Sequence, residues 1–226
     1  MKTYYAGGTI GDAYVILCKL YSVAKKEKIL CRHHIRYEGL RPTIKDIYSL
    51  IPNISVEFTS EKESDVELTG AFRYQGQERE QNRYNLNPEY YPEFESGDIG
   101  RFRLPEAYET LQITAGSHGG RQILSQSIKT IVNGSRLPVV LVGENSAGIS
   151  AGNSNAVDLR GKTSVKEVVG IIRESRHFYG LLGFLSFVAV SHKIKSDVYL
   201  KSQLDISAIK IRIEAIEEWR RFLIRR

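Results

Sequence analysis

The sequence predicts an α/β protein made of two small Rossmann-like halves with a helix at the C-terminus. Three observations carry this. Short apolar runs alternate with stretches of helical apolar spacing, once before residue 60 and again after residue 108. A glycine-rich turn follows the first strand of each half, at residues 7–11 and 116–120. At 226 residues and 42% apolar, the chain can bury one ample core or two small ones. The expected organisation is an N-terminal α/β half over 1–60, an acidic, tyrosine-rich insert over 61–107, and a C-terminal α/β half over 108–226.

Taken in order, residues 3–6 are a short apolar-aromatic strand ending at Gly7-Gly8, and Ala13, Ile16, Leu17, Leu20 and Ala24 then repeat at helical spacing. Residues 28–35 read as a second strand. His33 and His34 are adjacent on it, so they point to opposite faces, one packed and one exposed, and cannot form one site. Pro42 opens a helix with Ile44, Ile47, Tyr48 and Ile51 on one face, and residues 53–59 alternate as a third strand. The order βαβαβ implies parallel strands with right-handed crossovers. Residues 61–107 break the rhythm with Pro88, Pro92, Pro105 and four tyrosines between 74 and 91. Beyond them come a strand at 111–115, the glycine-rich turn, a helix running to about Val132, and strands at 137–142 and 156–159. A capping box, Ser164 with Glu167, starts a helix. Strands at 178–182 and 197–200 flank a buried helix, and Ile206, Ile209, Ile213, Ile216 and Leu223 stripe a terminal one.

Composition excludes several classes. The longest apolar run, residues 178–190, is interrupted by Gly180, Gly183 and Ser186 and is too short to span a bilayer. The N-terminus lacks the apolar core of a signal peptide, so the expected setting is cytoplasmic. Cys18 and Cys31 make no disulfide framework, and no Cys/His spacing suggests zinc, so no metal and no cofactor is expected. The net charge of +6 is an average. Residues 1–60 carry nine bases and five acids, +4; residues 61–98 carry four bases and ten acids, −6; residues 99–226 carry nineteen bases and eleven acids, +8. The basic blocks suit phosphate on a substrate, an anionic membrane surface or a nucleic acid.

Three turns could carry chemistry. In the first, Gly7-Gly8-Thr9-Ile10-Gly11-Asp12, glycines allow close backbone approach and a helix begins at once, favouring an anion. Asp12 is either the helix cap or a general base at the carboxyl end of a parallel sheet. In the second, Ser117-His118-Gly119-Gly120-Arg121 places a hydroxyl, an imidazole and a guanidinium where a helix N-terminus is expected, and Arg suits phosphate through its planar fork. In the third, residues 180–186 precede a buried helix whose N–H groups could cradle a diphosphate with no charged side chain. The turns match neither a GxGxxG fingerprint nor a Walker loop, since Gly161-Lys162-Thr163 lacks the upstream glycine.

With these turns in place, the chain resembles the GT-B glycosyltransferases, most closely the heptosyltransferase group, glycosyltransferase family 9. The resembling segments are Gly8-Thr9-Ile10-Gly11-Asp12; Leu111-Gln112-Ile113-Thr114-Ala115-Gly116 followed by Arg121; Val139-Val140-Leu141-Val142-Gly143-Glu144; Asp158-Leu159-Arg160-Gly161-Lys162-Thr163-Ser164-Val165; and Gly180 through Ala189. The resemblance implies two halves facing across a cleft, with the acceptor on the N-terminal side and the nucleotide-sugar donor on the C-terminal side. It implies that Asp12 is the base that deprotonates the acceptor hydroxyl, with Thr9 and Gly11 in its turn. Arg121, beside Ser117, His118 and Gly119, would neutralise donor phosphate, and Glu144 would meet the ribose. Gly183, Phe184, Leu185 and Ser186 would give N–H groups to the diphosphate. The family pattern DSGxxH is absent: its Asp and His positions are Leu181 and Ser186 here.

The implied activity is metal-independent, inverting transfer of a sugar from a nucleotide-diphospho-sugar to a glycan or lipid-linked saccharide, with peripheral association at the inner membrane face. Two alternatives stand beside it: a phage-type glycosyltransferase acting on DNA bases, for which no base-reading motif is present, and a nucleotide-sugar-binding module without turnover, consistent with the changes at Leu181 and Ser186.

Overall fold

Tyr4, Tyr5 and Ala6 are buried in succession, so the strand they form is covered on both faces, as an interior parallel strand must be. In the computed structural model, described for residues 1–35, 37–61, 64–68, 94, 97–115, 121–123, 125–145 and 155–199, that strand is β1 (Lys2–Gly7). Helix α1 (Ile10–Ala24) returns over the sheet with its apolar residues buried, and β2 (Ile29–His34) runs parallel to β1 with Tyr4 opposite Cys31. Helix α2 (Arg41–Tyr48), with Pro42 in its first turn, leads to β3 (Ile54–Phe58), parallel to β2. The predicted βαβαβ unit is therefore present in register.

The insert is not wholly irregular. Val66–Glu67 forms β4, parallel to the other edge of β1. Asp65 beside it accepts bonds from the backbone N–H and hydroxyl of Thr3, at 2.7 and 2.8 Å. Phe94 is buried edge-on to Tyr14 and Tyr21, with ring centroids 5.7 and 6.3 Å away. A two-residue strand and a single anchoring ring have no sequence period to mark them. The sheet order is β3-β2-β1-β4.

The chain divides into two units, one built on Met1–Glu95 and one on Ser96–Gln203. The second opens with a short 3-10 turn, Gly100–Phe102, then β5 (Glu109–Gln112). Strands β6 (Thr114–Ala115) and β7 (Arg121–Gln122) form an antiparallel pair, followed by α3 (Ser125–Gly134), β8 (Val139–Val142) and β9 (Ala156–Asp158). Helix α4 (Val165–Glu174), β10 (Phe178–Leu181), α5 (Phe184–Ser191) and β11 (Ser196–Tyr199) complete it. The sheet is all parallel, in the order β11-β10-β5-β8-β9. Leu111, Ile113, Ile128, Val139, Leu141 and Leu181 share one core cluster.

The predicted capping box is present. The Ser164 hydroxyl accepts the Glu167 N–H, and Glu167 accepts the Ser164 N–H at 2.7 Å. Arg101 grips the same carboxylate with both arms of its fork, at 2.7 and 3.0 Å, tying the entry of the unit to α4. The predicted terminal helix and the tyrosines of the insert lie outside the described residues.

Candidate active site

Each sheet reverses its winding beside its first strand. In the first unit the chain goes from β1 out to β2 and β3, then returns to β4 on the other side; in the second it goes from β5 to β8 and β9, then to β10 and β11. In open α/β sheets ligands bind at such a switch point, outside the carboxyl ends of the strands. Several of the sequence-predicted residues lie at these two points.

At the first, β1 ends at Gly7 and Gly8 adopts φ +138°, a backbone angle that favours glycine. A Cβ there would stand 2.5 Å from Asp12 Cβ and 2.6 Å from Asp12 Oδ2. Gly8 is therefore the residue that lets Asp12 fold back over the strand end. Thr9 is the N-cap of α1, and Asp12 Oδ2 accepts both the Thr9 N–H at 2.9 Å and the Thr9 hydroxyl at 3.1 Å. Gly11 lies in the first turn of α1. Asp12 thus caps the helix through one oxygen and stays half-buried at the carboxyl edge of the sheet. The cap reading of Asp12 is the one these contacts show.

Behind this turn stands a group the sequence reading set aside. His33 is fully buried, with Nε2 3.3 Å from the Gly8 carbonyl and Nδ1 3.0 Å from the Tyr48 hydroxyl. Burial pushes its pKa down to about 4. His34 is exposed, as the alternation requires. Burial also pushes the Cys18 and Cys31 thiols up to about 12, so neither is a thiolate nucleophile at neutral pH.

At the second switch point, β5, β8 and β10 deliver their turns to one edge. Gly143 (φ +100°) and the exposed Glu144 follow β8, and a Cβ on Gly143 would lie within 4 Å of the Gln112 and Leu185 side chains. Gly143, next to Glu144, thus lies close to Leu185 in the first turn of α5. The Ser186 hydroxyl accepts the Gly183 N–H at 3.0 Å and donates to the Gly183 carbonyl at 2.8 Å. Gly183 and Ser186 therefore satisfy each other, and Phe184, Leu185 and Ser186 place their backbone N–H groups in a first helical turn, where no preceding helical carbonyl accepts them. A Cβ on Gly183 would meet nothing within 4 Å, so the backbone is open to approach there. Leu181, the family's aspartate position, is buried in the core cluster.

One expectation changes. Arg121 does not sit at a helix N-terminus: it begins β7, paired with Ala115, and α3 starts four residues later at Ser125. The apolar period that makes a helix starts only there, and Arg121 and Gln122 run antiparallel to Thr114 and Ala115 instead. Ser117, His118 and Gly119 lie outside the described residues. Gln112, given no role by the sequence, ends β5 with 6% exposure, and its Oε1 has no hydrogen-bond partner among the described residues. Asp158 and Arg160 are locked together, at 2.9 and 2.7 Å, which holds the Asp158 carboxyl below its usual range. Among the described residues, no group of three or more His, Cys, Asp or Glu side chains could hold a metal ion, and no helix is long and apolar enough to cross a membrane.

No protein-family model and no curated protein sequence matches the chain. Solved structures do. E. coli ADP-heptose LPS heptosyltransferase II superposes with a TM-score of 0.56 at 14% identity, over 91% of this chain and 86% of its own. E. coli heptosyltransferase WaaC with ADP-2-deoxy-2-fluoro heptose gives 0.55 at 14% identity, over 94% and 98%. The iron-containing dodecameric glycosyltransferase TibC of enterotoxigenic E. coli gives 0.53 at 14% identity over 87% of this chain, which spans 59% of TibC's length. The fold is the GT-B fold of these glycosyltransferases. The described residues offer no ligand set for an iron like that named for TibC.

Proposed function

We propose that the chain is a glycosyltransferase that moves a sugar from a nucleotide-diphospho-sugar to an acceptor hydroxyl by single displacement. What supports this is that, in a chain of this fold, the first unit fixes a carboxylate at its switch point and the second has an uncharged, N–H-rich turn at its own. Asp12 takes the acceptor proton, the acceptor oxygen attacks the anomeric carbon, and the bond from that carbon to the diphosphate oxygen breaks. A single displacement inverts the anomeric centre. The departing nucleoside diphosphate gains charge that the first-turn N–H groups of α5 and Arg121 stabilise, while Glu144 meets the ribose. No metal enters this reading. The similar structures named for ADP-heptose and its fluoro analogue make ADP-heptose the first donor to test. The acceptor side, with peripheral attachment to an anionic membrane, rests on the basic blocks alone.

A second reading has its own support. Leu181 is buried among apolar side chains and the Ser186 hydroxyl is engaged within its turn, so the two polar contacts of the family pattern are missing. This favours a nucleotide-sugar-binding module without turnover. A thermal-shift panel of nucleoside diphosphates and their sugars comes first; ligand at 100 times its dissociation constant stabilises by about 2.7 kcal/mol. Turnover of the best donor by wild type and not by Asp12→Ala supports transfer, whereas binding without turnover by wild type supports the module.

A further inference from the structure

We infer that His33, with Tyr48 behind it, is a positioning residue for Asp12, acting through the Gly8 carbonyl; this rests on Asp12 being the base. His33 belongs to the inward row of β2 with Ile29 and Cys31, where an apolar residue would fill the space at less cost than a buried imidazole. Its two nitrogens are both used. The Gly8 carbonyl can only accept, so Nε2 carries the hydrogen and donates it. Nδ1 is then bare and accepts the Tyr48 O–H at 3.0 Å. Burial keeps the ring neutral and holds Tyr48 well above its ordinary value, so the phenol keeps the proton it donates.

The chain of contacts ends on the carboxylate. Gly8 is fixed on both sides by neighbouring residues of β2: its N–H donates to the His34 carbonyl at 3.2 Å and its carbonyl accepts from the His33 ring. The next residue, Thr9, gives both its donors to Asp12 Oδ2. The Gly8 Cα faces Asp12 so closely that a Cβ would overlap Asp12 Cβ, Cγ and Oδ2 at 2.5 to 2.7 Å. A rotation of the Gly8 peptide therefore moves Asp12. The phenol at 48 and the imidazole at 33 fix that rotation from inside the unit, touching no substrate themselves. Phe58, with its ring centroid 6.3 Å from that of His33, meets the same imidazole edge-on and offers it no polar partner.

The test compares His33→Phe, His33→Gln, Tyr48→Phe and Asp12→Ala, using ADP-heptose or the nucleotide sugar that most stabilises wild type. A glutamine amide can donate from about where Nε2 stands. His33→Phe should lower kcat by about 10- to 100-fold with donor KM within about twofold, because misplacing a reacting group by 1 Å costs about that much. His33→Gln should recover most of the loss, and Tyr48→Phe should fall between. A readout without substrate is hydrogen exchange at the Thr9 amide, which should lose protection in His33→Phe and keep it in His33→Gln. Wild-type kcat in His33→Phe, or unchanged Thr9 protection, overturns the inference, as does a glutamine variant no better than phenylalanine. If His33→Phe fails to fold, Tyr48→Phe and His33→Gln decide it. Full turnover by Asp12→Ala instead removes the underlying assignment of the base.

Discussion

Lowering the pH should destabilise the first unit through one imidazole. His33 has a folded pKa of about 4 against an ordinary 6.5, and the largest cause is burial. The bond to the Gly8 carbonyl and the Asp12 charge oppose the shift, and His34 adds a little to it. Tyr48, packed against the ring, keeps its proton throughout. Because the folded value is depressed, the unfolded chain binds the proton first. The stability is complete above about pH 7 and is lost as pH falls through the window from 6.5 to 4. At about 1.4 kcal/mol per pH unit, His33 alone costs about 3 kcal/mol by pH 4, of which about 2 is gone by pH 5.

Urea unfolding followed by far-UV circular dichroism at pH 8, 6.5 and 5 reads this out. With an m-value of about 1.5 kcal/mol per molar, 2 kcal/mol moves the midpoint by roughly 1.3 M. His192, pushed down to about 4 by burial, and His177, lowered for the same reason, add acid sensitivity to the second unit. The diagnostic quantity is therefore the difference between wild type and His33→Gln. That difference should shift by about 2 kcal/mol between pH 8 and pH 5, wild type losing more. A difference that stays constant with pH refutes the reasoning.

Three other substitutions follow from local geometry. Gly8→Ala places a methyl against Asp12 at a positive φ; it should cost about 1–3 kcal/mol and lower kcat while leaving nucleoside diphosphate affinity intact, as measured by thermal unfolding and calorimetric titration. Ser164→Ala removes the cap of α4 and should lower stability by about 1 kcal/mol with no change in donor binding. In Gly180→Ala the new Cβ would lie 2.4 Å from the buried Phe178 ring and 3.1 Å from Gln112 Oε1, so overpacking should cost about 1–3 kcal/mol on thermal unfolding.

The parallel framework was legible because its strands are apolar runs and its helices carry a 3.6-residue period, two signals that lie within single segments. Ser164 and Glu167 are three residues apart and needed no tertiary information. What was lost had partners distant in sequence or was too short to have a period. His33 meets Gly8 and Tyr48, 25 and 15 residues away, only because the register sets Ala6 beside His33 and Gly7 beside His34. Alternation could say that one of the two histidines is inside, not what it touches. The turn after β5 misled for a different reason. Glycines specify a permissive backbone but not whether a helix or a returning strand follows, and Arg121 and Gln122 take the strand.

The same comparison of the two switch points sets an expectation for donor choice. In the second unit the family's polar positions are replaced by Leu181, consumed by the core, and by Ser186, whose hydroxyl is satisfied within its own turn. Discrimination between sugars that differ by a hydroxyl reaches 10⁴-fold or more only where buried polar groups would be left unpaired by the wrong ligand; an apolar wall manages about 100-fold at best. The affinity of this chain should therefore reside in the nucleotide and diphosphate. Titration of nucleotide sugars that share one nucleotide should give dissociation constants within about tenfold of one another and of the free nucleoside diphosphate. Removing the β-phosphate should weaken binding by more than any change of sugar. One sugar binding 100-fold more tightly than its epimers would mean that polar groups other than Leu181 and Ser186 read the sugar, with the orphaned oxygen of Gln112 the first to test by Gln112→Leu.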